Sequence, residues 1–519
     1  MHRRFVILVL SIALIAIVAF APAQAATANA PCTVATFTGL FPDTTITVAQ
    51  VVLAAAPLPE YCKVHGIVNP KINFEVWMPT TTWNGKFEGV GNGGLAGSIS
   101  FSDMRTALAR NYATAGTDTG HSTNLPPPAE TWWTNAQQLK DYGYRSIHET
   151  AVKAKAIITA FYGAGPRLSY FNGCSTGGRQ AFMESQRYPH DYNGIIAGSP
   201  VFRVIQLRAR HVWTWQANHE EGDNDPHAIP FSKLPMIFNA VVAACDARDG
   251  LVDGQVDNPR RCNFKPKSLL CTGADSPTCL TAPQVEALEK MYAGPRNPRT
   301  GELIYPGIPK TSELDQAQSI GPVPNPSYTP FFAYTVFENV NYDFRTFNFD
   351  SDMWYSLHKV FGGETLEFIH NADDPDLSEF KEHHGKMIIW HPESDPLPNP
   401  VDTIRFYENV GTTMRNRHGH DEETQDFLRL FLLPMVGHCG GDSAGGPNTI
   451  DLLTALEQWV EQGLAPDKII ASRPAGATVP RTRPICAYPL VARYTGTGSI
   501  NDAANFVCKF EGPGHVHER

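Results

Sequence analysis

The sequence carries little charge. Asp, Glu, Lys and Arg make up 18% of its 519 residues, against 42% hydrophobic residues. That balance excludes the disordered class, which is poor in hydrophobic residues and rich in charge. No basic run occurs. The formal net charge is −10, with both signs spread along the chain, so nucleic-acid binding is not expected and nothing favours a polyanionic substrate. No cysteines fall in C-x-x-C pairs, which argues against a zinc site or a dithiol redox motif. Internal repeats and low-complexity tracts are absent. After residue 20, no segment is long and apolar enough to span a bilayer.

The N-terminus supplies an export signal. Arg3 and Arg4 precede an uncharged apolar run from Phe5 to Phe20, and Ala23-Gln24-Ala25 follows as an A-x-A cleavage site. Residues 1–25 are therefore expected to be a signal peptide. The mature chain is expected to be secreted or periplasmic, with no membrane association after cleavage. Export permits disulfides, and the ten cysteines all lie beyond the cleavage site. Five bridges are expected, although sequence alone does not fix their connectivity. Sequential neighbours pair easily: Cys32 with Cys62, Cys245 with Cys262, Cys271 with Cys279, and Cys486 with Cys508. That scheme leaves Cys174 and Cys439 as the one long-range pair.

Up to Pro200 the chain alternates strand and helix patterns. "INFEVWMP" (72–79) and "NYATAGTDTGH" (111–121) read as strands, and "YRSIHETAVKAKAIITAFYG" (144–163) has helical spacing. "RLSYFNGCS" then reads as a strand, "TGGRQAFMESQRYP" as a helix and "YNGIIAGSP" as a strand. This rhythm predicts a parallel sheet with helices on its faces. It stops near residue 200 and resumes at "GKMIIWHPESD" (385–395), "FLRLFLLPMVGHCGG" (427–441) and the helix "IDLLTALEQWVEQG" (450–463). The expected organisation is an α/β catalytic domain from residues 26–200 and 383–519, interrupted by an inserted lid at 201–382.

Gly173, Ser175 and Gly177 form G-x-S-x-G between an apolar strand and a helix, the setting of a nucleophile elbow in an α/β-hydrolase. A serine hydroxyl needs a base within hydrogen-bond reach and donors for the oxyanion. In this fold the acid and the histidine follow in chain order, each after a late strand. Asp395 lies just past "MIIW", with Glu393 as its rival in the same loop. His438 lies just past "FLLPMV". His418 and His420 belong to the polar stretch "RNRHGHDEE", which reads as surface, and His391 is too near Asp395 to end a separate strand. The backbone N–H of Thr176 is expected to give one oxyanion donor, and Gly93 or Gly94 of "GNGGLAG" the second. If Ser175 and His438 meet, the adjacent Cys174 and Cys439 are close enough to bridge. Closing so long a loop contributes about 5 kcal/mol in the chain-entropy model.

"NGCSTGGRQ", "GHCGG" and "CDARDGLVDGQVDNPRRC" together resemble the tannase and feruloyl esterase family of α/β-hydrolases. The likeness runs over essentially the whole mature chain. It implies an active-site disulfide, a lid domain and hydrolysis of esters of aromatic acids, so the expected partner is a small aromatic ester. Read from the residues, Asp246, Asp249, Asp253 and Asp257 suit Asp-Gly turns as well as a hard oxygen-ligated cation, and the spacing is not that of an EF-hand. The resemblance implies Ca²⁺, held by the side chains of Asp246, Asp249 and Asp253 and by backbone carbonyls at Leu251 and Gln255. Such an ion is structural. One departure stands out: the family's acid loop reads His-Gly-x-x-Asp, whereas here it is "HPESD", stiffened by Pro392. Feruloyl, galloyl and terephthaloyl esters share a flat ring beside the ester, and the residues do not separate them. The other readings are a lipase or peptidase on the same fold, which the mixed, polar lid disfavours, and an exported binding protein that has lost catalysis.

Overall fold

The computed structural model describes residues 29–122, 132–222, 225–316, 320–321, 330–418, 424–442, 444–473, 477 and 479–510. The expected signal peptide and its cleavage site lie outside these residues, as does His420. Among the described residues, no helix is long and apolar enough to cross a membrane.

A nine-stranded mixed sheet carries the molecule. Its first strands are β1 (Thr44–Val52), β2 (Tyr61–Val68) and β3 (Ile72–Pro79). They pair antiparallel, with a short turn between β2 and β3 and a longer loop between β1 and β2. This departs from the expectation of an all-parallel sheet, whose rhythm begins only after residue 80. The next four are β4 (Lys86–Val90), β5 (Ala113–Thr117), β6 (Leu168–Cys174) and β7 (Gly194–Gly198). The last two are β8 (Lys386–Pro392) and β9 (Leu428–Leu433). The order is β1-β2-β3-β5-β4-β6-β7-β8-β9, and the pairs from β5 through β4 to β9 are parallel. β8 runs two residues beyond "MIIW", and β9 ends before Pro434, whose missing N–H cannot continue the ladder.

Helices cover both faces, as parallel strands buried on two sides require. α1 (Ser146–Tyr162) and α2 (Thr176–Arg187) occupy the N-terminal half of the chain. Phe182 of α2 is fully buried against Phe202 and Phe406. A ring buried in this way contributes about 1.5–3 kcal/mol.

Among the described residues between Gly198 and Lys386, none adds a strand to the main sheet. The sequence shows no strand–helix rhythm here, yet the stretch contains α3 (Val204–Asn218) and further helices at Leu234–Cys245, Ala282–Ala293 and Ser351–His358. α3 is buried on nearly every side, so its sequence carries no apolar stripe to reveal it. Phe331, Phe332, Phe347 and Phe349 form core with Leu207 and Val212, whereas Trp354 is exposed. α4 (Ser378–Glu382) leads back into β8. α5 (Pro400–His418) follows the acid loop, and α6 (Leu452–Gln462) lies where the sequence pattern predicts a helix. Two hairpins close the described chain: β10 (Lys468–Ser472) with β11 (Thr482–Cys486), and β12 (Leu490–Tyr494) with β13 (Phe506–Phe510).

Five disulfides join Cys32 to Cys62, Cys174 to Cys439, Cys245 to Cys262, Cys271 to Cys279 and Cys486 to Cys508. The Cys174–Cys439 bridge spans 265 residues of sequence and ties the end of β6 to the turn after β9.

Candidate active site

Ser175 sits between β6 and α2 with φ at +64°, in the left-handed region that a serine rarely adopts. Such strain is held only where the surroundings fix it. Here the Ser175 N–H donates to the Gly198 carbonyl at 2.9 Å, and the Ser175 carbonyl accepts from Arg179 N and Val201 N at 3.1 and 3.3 Å. Close approach explains one glycine. A Cβ on Gly177 would stand 3.1 Å from the Asn92 carbonyl and 3.2 Å from Gly91 Cα.

The glycine loop after β4 lies against the start of α2. Gly177 N donates to the Asn92 carbonyl at 2.7 Å, and the Thr176 hydroxyl donates to the Gly94 carbonyl. Asn92 and Gln180 exchange two further bonds. Asn92 N donates to Gln180 Oε1 at 2.9 Å, and Gln180 Nε2 donates to Asn92 Oδ1 at 2.8 Å. The Asn92 amide also donates to the Ser98 and Thr117 carbonyls. Space beside Gly93 and Gly94 is open. Asn92 and Gln180 are not legible in the sequence, because a polar pair 88 residues apart carries no local signal.

Asp395 and His438 come together past the ends of β8 and β9. His438 Nδ1 lies 2.8 Å from Asp395 Oδ2, and Asp395 is fully buried. A second bond fixes the carboxylate, since Leu397 N donates to Asp395 Oδ1 at 2.9 Å. With Nδ1 turned to Asp395, Nε2 faces the disulfide, 3.6 Å from Cys439 Sγ. That bridge places Cys439 beside Cys174, with the Cα atoms 5.9 Å apart, and Ser175 is the next residue. A direct Ser175–His438 hydrogen bond is not among the contacts of the described residues. Cys439 N donates to the Ser199 hydroxyl at 3.3 Å, a further tie from the base turn to the end of β7.

The neighbouring acid and histidine have other partners. Glu393 pairs with Arg260. Burial pushes its carboxyl above the ordinary range, and the Arg260 guanidinium opposes that shift. His391 is fully buried, with Nδ1 2.8 Å from the Thr403 hydroxyl, Nε2 3.3 Å from the Pro398 carbonyl and Asp395 Oδ2 at 3.6 Å. Burial lowers its pKa to about 4, so it is neutral at pH 7.

The insertion grips the acid loop at several points. Thr311 and Ser394 share a hydroxyl–hydroxyl bond of 2.6 Å. Arg210 Nη2 donates to the Pro396 carbonyl at 2.8 Å and to the Leu397 carbonyl. None of these contacts is legible in "HPESD" alone, because each partner comes from the insertion.

The aspartate loop is closed by Cys245–Cys262 and rests on the turn that carries the base, with Val256 N 3.0 Å from Met435 Sδ. Asp246 accepts from Asp253 N and Gly254 N at 3.3 and 3.0 Å. Asp249 accepts from Leu251 N at 2.9 Å and Asp257 N at 3.2 Å, and Asp253 pairs with Arg483 at 2.8 Å. Arg481 Nη2 donates to the Asp253 carbonyl and Nη1 to Gln255 Oε1. Burial, and next the adjacent Asp257, push the Asp249 carboxyl up to about 6. The groups expected to hold calcium offer only oxygen, the set a hard cation takes, although Asp253 is already paired with Arg483 and Arg481.

Comparison with known proteins agrees with this architecture. The sequence profile described as "Tannase and feruloyl esterase" matches residues 56–509. The chain is 34% identical to the mono(2-hydroxyethyl) terephthalate hydrolase of Piscinibacter sakaiensis, over 89% of this chain and 86% of that protein. It is 30% identical to feruloyl esterase B of Aspergillus niger, over 84% and 83%. The crystal structure of feruloyl esterase B from Aspergillus oryzae superposes with a TM-score of 0.81 at 28% identity, covering 90% of this chain and 97% of that one. A profile match over most of the chain, with these identities, makes the protein a carboxylic ester hydrolase and a member of the tannase and feruloyl esterase family.

Proposed function

We propose that the protein is an exported serine esterase that cleaves esters of aromatic acids through an acyl-enzyme. The 2.8 Å contact between His438 and Asp395, beside the disulfide that carries Ser175, is the observation that supports this most. In this reading His438 Nε2 removes the Ser175 proton as Oγ attacks the ester carbonyl. Asp395 holds the tautomer with its proton on Nδ1 and stabilises the imidazolium. The N–H of Thr176 and one from Gly93 or Gly94 receive the oxyanion. The imidazolium gives its proton to the departing alcohol. Water, activated by the same nitrogen, then releases the acid and restores Ser175.

The aromatic acyl group follows from the family and from the apolar surroundings. Leu95 and Ala96 of the glycine loop share an apolar cluster with Val201, Ile205 and Phe331 of the insertion. We read residues 201–382 as a lid over this wall. Five disulfides suit an oxidising compartment and support export. Calcium is proposed at Asp246, Asp249 and Asp253, with the Leu251 and Gln255 carbonyls. It would supply positive charge to a crowded acidic loop and take no part in ester chemistry.

An ester panel tests the assignment: methyl ferulate, methyl gallate, a mono-aryl terephthalate ester and a long-chain aliphatic ester. At least one aromatic ester is expected to be cleaved far faster than the aliphatic one. The opposite preference would remove the aromatic assignment.

A further inference from the structure

The catalytic residues follow the C-terminal ends of β6, β8 and β9. A second cluster stands at the other end of the same sheet. His190 precedes β7, and Glu379 and His383 belong to α4 and its cap, just before β8. β7 and β8 are parallel neighbours, so both approaches meet at the N-terminal edge of the sheet. One ligand atom from each of His190, Glu379 and His383 lies within 4.8 Å of the other two. His190 Nε2 is 3.5 Å from Glu379 Oε1, and the two imidazole centroids are 3.5 Å apart. Glu379 and His383 are one helical turn apart, and the His383 N–H donates to the Glu379 carbonyl at 3.1 Å, which fixes their shared direction.

The spacing suits a small tetrahedral ion. With bonds of about 2.0–2.2 Å, donor atoms around zinc stand roughly 3.3–3.6 Å apart. The 3.5 Å between His190 Nε2 and Glu379 Oε1 falls in that range, and all three side chains are exposed enough to close the wider gaps by rotamer adjustment. Two imidazoles and one carboxylate form a borderline donor set. Calcium and magnesium prefer oxygen alone, whereas zinc takes nitrogen and oxygen together. The fourth position faces solvent and can hold water. Among the described residues, one other trio with the right spacing, Cys271, Asp275 and Cys279, is unsuitable because both sulfurs are bonded to each other.

We infer that His190, Glu379 and His383 form a surface site for zinc or a similar borderline divalent cation, separate from both the catalytic residues and the aspartate loop. The bound ion clips α4 to the segment entering β7, and so holds the point where the chain returns from the insertion to the sheet. Binding to the folded chain alone stabilises it by mass action.

The test uses the full mature chain stripped of metal and titrated with zinc chloride, with cobalt(II) as a visible-absorption probe. The His190→Ala, His383→Ala and Glu379→Gln variants are titrated alongside, after their metal-free melting temperatures are shown to match the parent. One equivalent is expected to bind the parent, to raise its melting temperature and to resist competition from calcium. Each histidine variant is expected to weaken that equivalent at least tenfold and to abolish the thermal shift. Ser175→Ala is expected to bind as the parent does. Equal affinity in the parent and both histidine variants, showing that any bound zinc sits elsewhere, would overturn the site. So would a parent that fails to bind at about 1 mM zinc, where even a weak site fills.

Discussion

Arg260 of the insertion contacts both oxygens of Glu393 at 3.3 Å, and this pairing separates the two acids of the loop. Glu393 faces the insertion, while Asp395, two residues on, faces His438. The two substitutions therefore have different consequences. Asp395→Asn is expected to lower kcat about 10⁴-fold, by offering the wrong partner to Nδ1, with the fold intact. Glu393→Gln is expected to leave kcat within about tenfold and to cost about 1–3 kcal/mol, because the partly buried Arg260 guanidinium loses its charged partner. Steady-state kinetics and urea melts of the two variants check this. Interchanged effects would assign the acid to Glu393.

Opening the Cys174–Cys439 bridge should loosen the base relative to the nucleophile. The Cys174→Ala/Cys439→Ala double variant is expected to lose about 2–5 kcal/mol of stability. It is also expected to lose kcat more than KM, since the bridge fixes geometry without forming the pocket. An unchanged kcat would show that β6 and β9 alone hold the register.

Asn92 is expected to act by positioning. Asn92→Ala removes its bonds to Ser98, Thr117 and Gln180, and so frees the loop bearing Gly93 and Gly94. Losing one oxyanion donor costs about 10²–10³ in kcat. A drop in that range with KM nearly constant is expected, and a loss confined to KM would place Asn92 in substrate binding.

His391 gives a pH signature. Its folded pKa is about 4, because burial disfavours the charged ring, and the ordinary value is 6.5. The groups facing it are Asp395, Thr403, the Pro398 carbonyl and, on the far side of Asp395, His438. Between pH 6.5 and pH 4 the unfolded chain takes up a proton that the native state refuses. The contribution of His391 to stability is therefore intact above pH 6.5 and falls as pH drops through this window, by up to about 3 kcal/mol. Relative to the parent, His391→Gln is expected to become steadily more stable from pH 7 to pH 4. A constant offset in urea melts across that range would contradict it.

Removing calcium is expected to lower the melting temperature and then the activity, because the aspartate loop rests through Val256 on Met435, three residues before His438. Chelation followed by calcium repletion, read by thermal melts, checks this. No shift after complete metal removal would count against the site.

Much of the candidate site is legible in the sequence because its signals are local. Ser175 lies between a strand pattern and a helix pattern, and Asp395 and His438 each follow an apolar strand. Their neighbours Cys174 and Cys439 supplied a long-range constraint that composition alone cannot. Other parts were hidden for physical reasons. α3 is buried all round and shows no stripe, and the antiparallel start of the sheet depends on the connections between its strands. The support of the acid loop comes from Arg210, Arg260 and Thr311, more than eighty residues away in sequence. Pairings of that kind exist only once the chain has folded.

The central claim is that the Ser175 hydroxyl is the nucleophile activated by His438. The most direct measurement is mass spectrometry of acid-quenched enzyme during turnover of a p-nitrophenyl aromatic ester, with peptide mapping of the adduct. The expected result is one acyl group on Ser175, absent in Ser175→Ala and slow to form in His438→Ala. An adduct on another residue, or undiminished turnover by Ser175→Ala, would contradict the account.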